Sequence, residues 1–169
     1  MLAERGELPP PVPEAQVSFA GDALIPERYI ESSAHRMEMY KKISLIGTKE
    51  DLSDVLDEFC DRFGEPPKPV LRVLYAALCR ALAVKCGISK VEMKGRELYF
   101  AAKELRLSAW SELFAENETL RYAGGLAPTV RCRIPDREEG ASYAAYLLGR
   151  LLELESANKS EEEKNDSEK

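Results

Sequence analysis

Histidine and clustered cysteine, from which most metal and nucleophilic sites are built, are scarce in this sequence. It has one histidine, His35, and four cysteines at positions 60, 79, 86 and 132, with no C-x-x-C pair. A structural zinc site needs about four clustered ligands with short spacings, so the sequence predicts no metal site. Cys79 and Cys86 are seven residues apart in an apolar helical stretch. We expect both to be buried as small hydrophobic side chains.

Catalytic motifs are missing as well. Gly124-Gly125 is followed by Leu-Ala-Pro-Thr, which excludes a phosphate-binding loop of the G-x-x-x-x-G-K-S/T type. No G-x-S-x-G occurs, and His35 has no evident nucleophile partner, which argues against a hydrolase triad. Acid pairs such as Asp57 and Asp61 could take part in acid–base catalysis or hold a metal, but carboxylates on an exposed helix face are more often simply solvated. We therefore expect no enzyme activity, no catalytic residue and no cofactor.

Long apolar runs are the third absence. No stretch approaches the roughly 20 apolar residues that a membrane span requires. The first residues, MLAERGELPPPVPEAQ, show no basic start followed by an apolar segment, so they do not resemble a secretory signal. The sequence predicts a soluble, cytoplasmic protein without a membrane partner.

The composition that remains is that of one globular domain with loose ends. The chain has 169 residues, of which 44% are hydrophobic, enough for a core without disulfides or metals. Four prolines mark residues 1–15 as an extended leader or linker. Residues 157–169 are polar and lack aromatics, which predicts a disordered acidic tail. The ordered domain is therefore predicted to span residues 16–156, and we expect it to be a monomer.

The periodicity of the apolar residues predicts an α+β fold. The predicted elements follow the order β-α-α-α-β-β-α-β-β-α, in which strands and helices are grouped rather than alternating. We expect a small mixed or antiparallel sheet packed against several helices. In the first predicted helix, Met37, Tyr40 and Ile43 lie at helical spacing, and the third, from about Pro69 to Cys86, is predicted to be the central core helix.

The second helix has the clearest signals. Thr48 and Asp51 form an N-terminal capping signature, and Gly64 is placed where a helix C-cap needs a positive φ. Asp54, Glu58 and Asp61, at i, i+4 and i+7, predict an acidic stripe on an outward face. The apolar stripe, at helical spacing, consists of Leu52, Val55, Leu56, Phe59 and Phe63.

Charge is distributed unevenly along the chain. The net charge is −6, yet residues 48–65 hold seven acids and two bases, whereas residues 66–91 hold five bases and no acid. An acidic surface repels the phosphate backbone, so nucleic-acid binding is not the first expectation. The basic helix, residues 68–86, leaves open an alternative in which the chain is an adaptor that binds a separate protein or a nucleic acid. No interleaved aromatic platform on this helix supports single-strand binding.

Several segments, taken in order, resemble a known domain. They are ALIPERYI (23–30), Arg36 with Tyr40-Lys41, DEFCDRFGEPPKP (57–69) and CGISKVEMKGRELYF (86–100). Together they resemble the C-terminal domain of bacterial transcription-repair coupling factor, and the likeness covers roughly residues 16–155. The most specific part is the DRFG-x-x-P segment, whose residues here are Asp61, Arg62, Phe63, Gly64 and Pro67.

The resemblance implies a function that the residues alone do not. In that family the domain is not an enzyme but the terminal, autoinhibitory part of an ATP-dependent DNA translocase that acts in nucleotide excision repair. It docks on a UvrB-like module of its own chain and masks the surface that recruits UvrA until RNA polymerase is engaged. The docking acids, carried over, are Glu58 and Asp61, with Asp54 on the same stripe. Direct nucleic-acid contact is not expected.

Overall fold

The computed structural model describes residues 14–103, 106–123 and 127–168. The predicted fold class and the predicted order of elements are both confirmed. A short 3-10 turn, Arg137–Glu139, precedes the last helix. The elements are β1 (Gln16–Ser18), α1 (Ser33–Ser44), α2 (Lys49–Phe63), α3 (Lys68–Lys85), β2 (Ile88–Lys94), β3 (Glu97–Ala102), α4 (Leu107–Glu116), β4 (Leu120–Ala123), β5 (Thr129–Arg133) and α5 (Gly140–Ser167).

The five strands form one mixed sheet in the order β1-β2-β3-β5-β4. β1 pairs with β2 in parallel, and the other three pairings are antiparallel. The β2–β3 hairpin turns at Gly95, whose φ of 62° suits glycine at the first central position of a two-residue turn. Alternate residues of the strands are buried, which places the core on one face of the sheet.

α3 lies at the centre of the helical layer, as predicted. It packs against α5, against α1 and α2, and against β1 and β2. Val70, Leu74 and Cys79 are completely buried on it. Because α3 contacts elements from both ends of the chain, it fixes α1 and α2 relative to the sheet.

Of the three residues at helical spacing on α1, only Ile43 is buried: Met37 is 61% and Tyr40 38% exposed, and Met39 is the other buried residue. One prediction about the helices needs correction. The tail predicted to be disordered from residue 157 continues α5 as a helix to Ser167. Glu and Lys have good helix propensity, and lengthening an existing helix avoids the cost of nucleation. The end of the domain at residue 156 stays a prediction.

Two other predicted features lie outside the described residues. They are most of the proline-rich leader, residues 1–13, and the Gly124-Gly125 turn. Within the described ranges, no helix is both long enough and apolar enough to cross a membrane.

Candidate functional site

The N-terminus of α2 is fixed by a complete capping box. The Thr48 hydroxyl accepts a hydrogen bond from the Asp51 backbone N–H at 3.1 Å, and the Asp51 carboxylate accepts one from the Thr48 N–H at 2.9 Å. The same carboxylate accepts a second backbone hydrogen bond, from Gly47. These bonds, the one from Gly47 foremost, hold the pKa of Asp51 below its usual value. The predicted capping signature is confirmed.

The C-terminus of α2 is fixed by Gly64. Its φ is 85° and its ψ is −174°, a combination that is essentially restricted to glycine. The predicted positive φ is therefore confirmed, although the residue is not in the αL region. The Tyr29 hydroxyl donates to the Gly64 carbonyl at 2.7 Å, and Pro67 then starts α3 as its N-cap. Both ends of α2 are thus held by local structure.

The predicted apolar stripe of α2 faces the core. Leu52 and Phe59 are buried, and the other three members are half-buried. The Phe63 ring packs against Tyr29 and His35, with ring centroids 6.2 Å and 6.1 Å apart. With this side occupied, the opposite side of α2 is left to solvent.

The three predicted docking acids are in two different environments. Asp54 and Asp61 are exposed, as is Asp57 beside them on the same outward face. None of these three forms an ion pair with any residue that the structure describes. The Glu58 side chain is only 30% exposed and forms ion pairs with Lys42 and, at 3.6 Å, with Arg62. Within the acidic stripe, Asp54 and Asp61 are therefore available to a partner, whereas Glu58 is already partly neutralised within the domain.

Glu58 belongs to a four-residue ion network that links α1 and α2. Arg62 donates to the Glu38 carboxylate at 2.9 Å, and Lys42 lies 3.5 Å from that carboxylate. The hydrogen bond from Arg62 lowers the pKa of Glu38, and the hydrogen bond to Glu58 raises the pKa of Lys42. Arg62 also stacks over the Phe63 ring, with its guanidinium carbon 4.9 Å from the centroid.

Arg36 and Tyr40, the remaining predicted motif residues, hold the segment before α1. Arg36 donates to the carbonyls of Ile30 and Glu31 at 2.7 Å and 2.9 Å. The Tyr40 hydroxyl accepts a hydrogen bond from the Ile25 backbone N–H at 2.7 Å. Five of the six motif residues thus lie at or next to the contact between α1 and α2, called the α1–α2 junction below, and the sixth, Pro67, begins α3.

Sequence reasoning missed three residues at this junction: Tyr29, Glu38 and Lys42. Glu38 and Lys42 are four apart on α1, a spacing that allows an ion pair, and this was the available signal. Their contacts to α2 had no signal in the sequence, because they join residues at least 16 positions apart.

The basic stretch of residues 66–91 is largely engaged within the domain. Lys68 and Arg72 lie 2.9 Å and 3.7 Å from the Glu138 carboxylate. Lys85 donates to the Gly47 carbonyl at 2.9 Å, and Lys90 pairs with a neighbouring glutamate at 3.1 Å. Of the five bases, Arg80 alone is exposed with neither an ion pair nor a side-chain hydrogen bond to a described residue. The alternative hypothesis, an adaptor that binds a protein or a nucleic acid through this basic helix, therefore gains no support.

The cysteines offer no reactive cluster. Burial raises the pKa of both Cys79 and Cys86 to about 12, and the prediction that they are buried is confirmed. Burial also raises the pKa of Cys132, whereas Cys60 is exposed. The described residues include no group of three or more histidine, cysteine or acidic side chains that could hold a metal ion.

Comparison with known proteins places this geometry in a family. The family model described as TRCF domain matches residues 19–109, more than half of the chain. The transcription-repair-coupling factor of Staphylococcus haemolyticus (strain JCSC1435) is 31% identical over 116 residues, which are 68% of this chain and 10% of that protein. The protein of the same name from Staphylococcus aureus (strain USA300) is 34% identical over 85 residues, 50% of this chain and 7% of that protein. The chain thus matches about a tenth of the length of these curated relatives.

A solved structure supports the same assignment at the level of the fold. It is the crystal structure of the C-terminal domain of transcription-repair coupling factor, which this chain matches with a TM-score of 0.71 at 21% identity. The match covers 86% of this chain and 98% of the other. The chain belongs to the TRCF domain family, and its fold is that of the C-terminal domain of transcription-repair coupling factor.

Proposed function

We propose that this chain is the non-catalytic, autoinhibitory domain of a transcription-repair coupling DNA translocase. The acidic face of α2, defined by Asp54, Asp57 and Asp61, docks on a UvrB-like module of the same protein. Docking masks the surface that binds UvrA until RNA polymerase is engaged. The observation that carries the proposal is that these three carboxylates are exposed and without ion pairs among the described residues, on a helix whose other sides are occupied.

The position of Asp61 supports a binding role. It lies in the last turn of α2, where a negative charge opposes the helix macrodipole at a cost of about 0.3–1 kcal/mol. A residue that is locally unfavourable, with no compensating partner among the described residues, is typical of a functional surface. A solvated face would be better served by a neutral or basic residue in that turn.

The rigidity of α2 supports it as well. The capping box, the Gly64 turn and the ion network hold the helix before it meets a partner. A preorganised surface loses less conformational entropy on binding. Arginine is the favoured partner, because its planar guanidinium binds carboxylates in a bidentate manner.

Glu58 has a different role in this proposal. Its carboxylate already contacts Lys42 and Arg62, so a partner arginine would compete with two internal cations. We propose that Glu58 mainly positions Arg62 and the α1–α2 junction, and that Asp54 and Asp61 supply most of the docking energy. Reversal of Glu58 would therefore mix a folding effect with a docking effect.

The decisive experiment reverses the two exposed acids, Asp54→Arg with Asp61→Arg, in the full-length protein. We expect tighter UvrA binding and faster ATP hydrolysis in the absence of polymerase, because loss of attraction is joined by new repulsion. Charge pairs at an interface rim contribute about 0–1 kcal/mol, and breaking desolvated ones costs about 2–5 kcal/mol. The shift in UvrA affinity therefore reports how deeply the acids are buried on docking.

The matched control is Glu112→Arg with Glu162→Arg, which changes the net charge equally at exposed acids on α4 and α5. It should leave UvrA affinity unchanged. Thermal melting of the isolated domain should be unchanged for the control and unchanged or slightly higher for the Asp54/Asp61 variant, because Asp61→Arg removes an unfavourable charge from the last turn of α2. If the Asp54/Asp61 variant melts normally but binds UvrA no more tightly than the control, the docking proposal is wrong.

A further inference from the structure

The face of the sheet that turns away from the helices is open to solvent. On β3 and β5, Leu98, Phe100 and Val130 are fully buried, so the residues between them point to the opposite face. This open face carries five basic side chains and two acidic ones. They are Lys90, Lys94, Arg121, Arg131 and Arg133, with Glu92 and Glu97. In a chain of net charge −6, this face carries a local excess of positive charge.

The excess is concentrated at the β5–β4 edge. Arg121 and Arg131 are direct cross-strand partners, and Arg133 is two residues along the same strand on the same face. Side chains directly opposite each other have Cβ atoms about 5 Å apart, and like charges in that position are destabilising. All three arginines are exposed and line one open depression, together with Thr119 and two acidic residues, Glu97 and Glu118.

Internal carboxylates neutralise this cluster only in part. Arg131 is 3.8 Å from the Glu97 carboxylate. Arg121 donates to the carbonyls of Glu118 and Leu120, and neither it nor Arg133 forms an ion pair with a described residue. Lys90 and Lys94, by contrast, share the Glu92 carboxylate at 3.1 Å and 3.7 Å. The unbalanced charge is thus arginine charge, on side chains suited to phosphate.

An aromatic ring lies among these bases. Tyr99 is opposite Arg131 in the β3–β5 register, and the Lys94 ammonium is 5.3 Å from its ring centroid. Its hydroxyl donates to Glu97 at 2.8 Å, which holds the ring in place on the sheet. A stacking ring beside a basic track is the arrangement by which proteins bind single strands with little sequence preference.

We propose that the open face of the sheet binds single-stranded nucleic acid, with Arg121, Arg131 and Arg133 on the phosphates and Tyr99 against a base. A protein partner fits this face less well, because interface cores are depleted in charge and anchored by apolar or aromatic side chains. Nucleic-acid interfaces are more polar and more positive. None of the exposed large hydrophobic side chains in the described ranges lies on this face. Tyr122, on β4, is opposite buried Val130 and belongs to the other face.

This proposal departs from the expectation of no nucleic-acid contact. That expectation rested on the acidic stretch of residues 48–65 and on the lack of an interleaved aromatic platform on the basic helix. The sheet places basic side chains and the Tyr99 ring together on a surface that is separate from the acidic face of α2. The docking proposal and the nucleic-acid proposal can therefore fail independently.

The test is fluorescence anisotropy of a labelled 20-nucleotide oligothymidine with the 169-residue chain. Three phosphate contacts to a single strand predict a slope of about −2 for log affinity against log salt, a loss of roughly 15- to 20-fold between 50 and 200 mM. Arg121→Gln with Arg131→Gln and Arg133→Gln should abolish this salt-dependent binding. Tyr99→Leu should weaken binding and leave the slope unchanged.

The matched control removes three exposed bases elsewhere, Lys41→Gln with Lys49→Gln and Arg80→Gln, and should bind as the parent sequence does. The arginine variant should melt at the same or a higher temperature, since it relieves a like-charge pair. The proposal is overturned by absence of binding at 50 mM salt, by equal losses in control and arginine variants, or by a misfolded arginine variant. Equal or tighter binding of duplex DNA, or of poly-glutamate, would also overturn it.

Discussion

Replacing Gly64 by alanine tests whether the turn after α2 is held by backbone conformation alone. A Cβ built at Gly64 meets no atom within 4 Å, so steric contact contributes nothing. The φ of 85° with ψ of −174° lies in a region essentially closed to other residues, and such strain costs about 1–3 kcal/mol. Alanine also restricts the unfolded chain, which returns about 0.4–1 kcal/mol. The expected net loss of stability is about 1–2 kcal/mol.

The measurement is urea unfolding of the isolated chain, with thermal melting alongside. For a protein of this size, each 1 kcal/mol shifts the melting temperature by about 2–4 °C. Gly149→Ala is the matched control, because Gly149 lies inside α5 and a Cβ there meets only Leu82, at 4.0 Å. The same chemical change should stabilise the protein at Gly149, by about 0.5–1 kcal/mol. A Gly64→Ala variant as stable as the parent would refute the conformational argument.

Two further predictions concern titratable groups. Because the pKa of Asp51 is lowered in the folded state, its ionised form stabilises the fold above the unfolded-state pKa of about 3.9, and this contribution disappears as pH falls through the lower folded value. The stability difference between the parent and Asp51→Asn should therefore be largest near neutral pH and shrink below about pH 4 in urea titrations; a difference independent of pH would contradict the assignment. Among the cysteines, only Cys60 is exposed, so a thiol reagent should label one group rapidly and the others only on unfolding, and Cys60→Ser should remove the rapid phase. Rapid labelling of more than one thiol would show that the core is open.

Local signals in the sequence were sufficient to predict the two ends of α2. The Thr48 capping box and the positive φ at Gly64 each depend on residues a few positions apart, so both can be predicted from a short stretch of sequence. The order of elements followed in the same way from the change in apolar period between helix and strand. The DRFG-x-x-P resemblance indicated the family that the comparisons then showed.

Local signals misled where helices meet solvent. Met37, Tyr40 and Ile43 lie at helical spacing, but α1 buries Ile43 and Met39 and leaves Met37 and Tyr40 exposed. Composition suggested disorder after residue 156, yet α5 continues to Ser167. In both cases the outcome depends on what precedes or packs against the segment, and a window of sequence does not contain that information.

The sequence by itself determined where α2 begins and ends and which of its faces is apolar. Only the tertiary structure decided which of its acids are free of ion pairs with described residues. Glu58 pairs with Lys42 of α1, 16 positions earlier in the chain, whereas Asp54 and Asp61 form no such pair. Only the sheet register set Arg121 opposite Arg131 and Tyr99 beside them. Charge–charge contacts depend on distance in space, and a chain that folds back on itself makes neighbours of residues whose separation in sequence carries no trace of that contact.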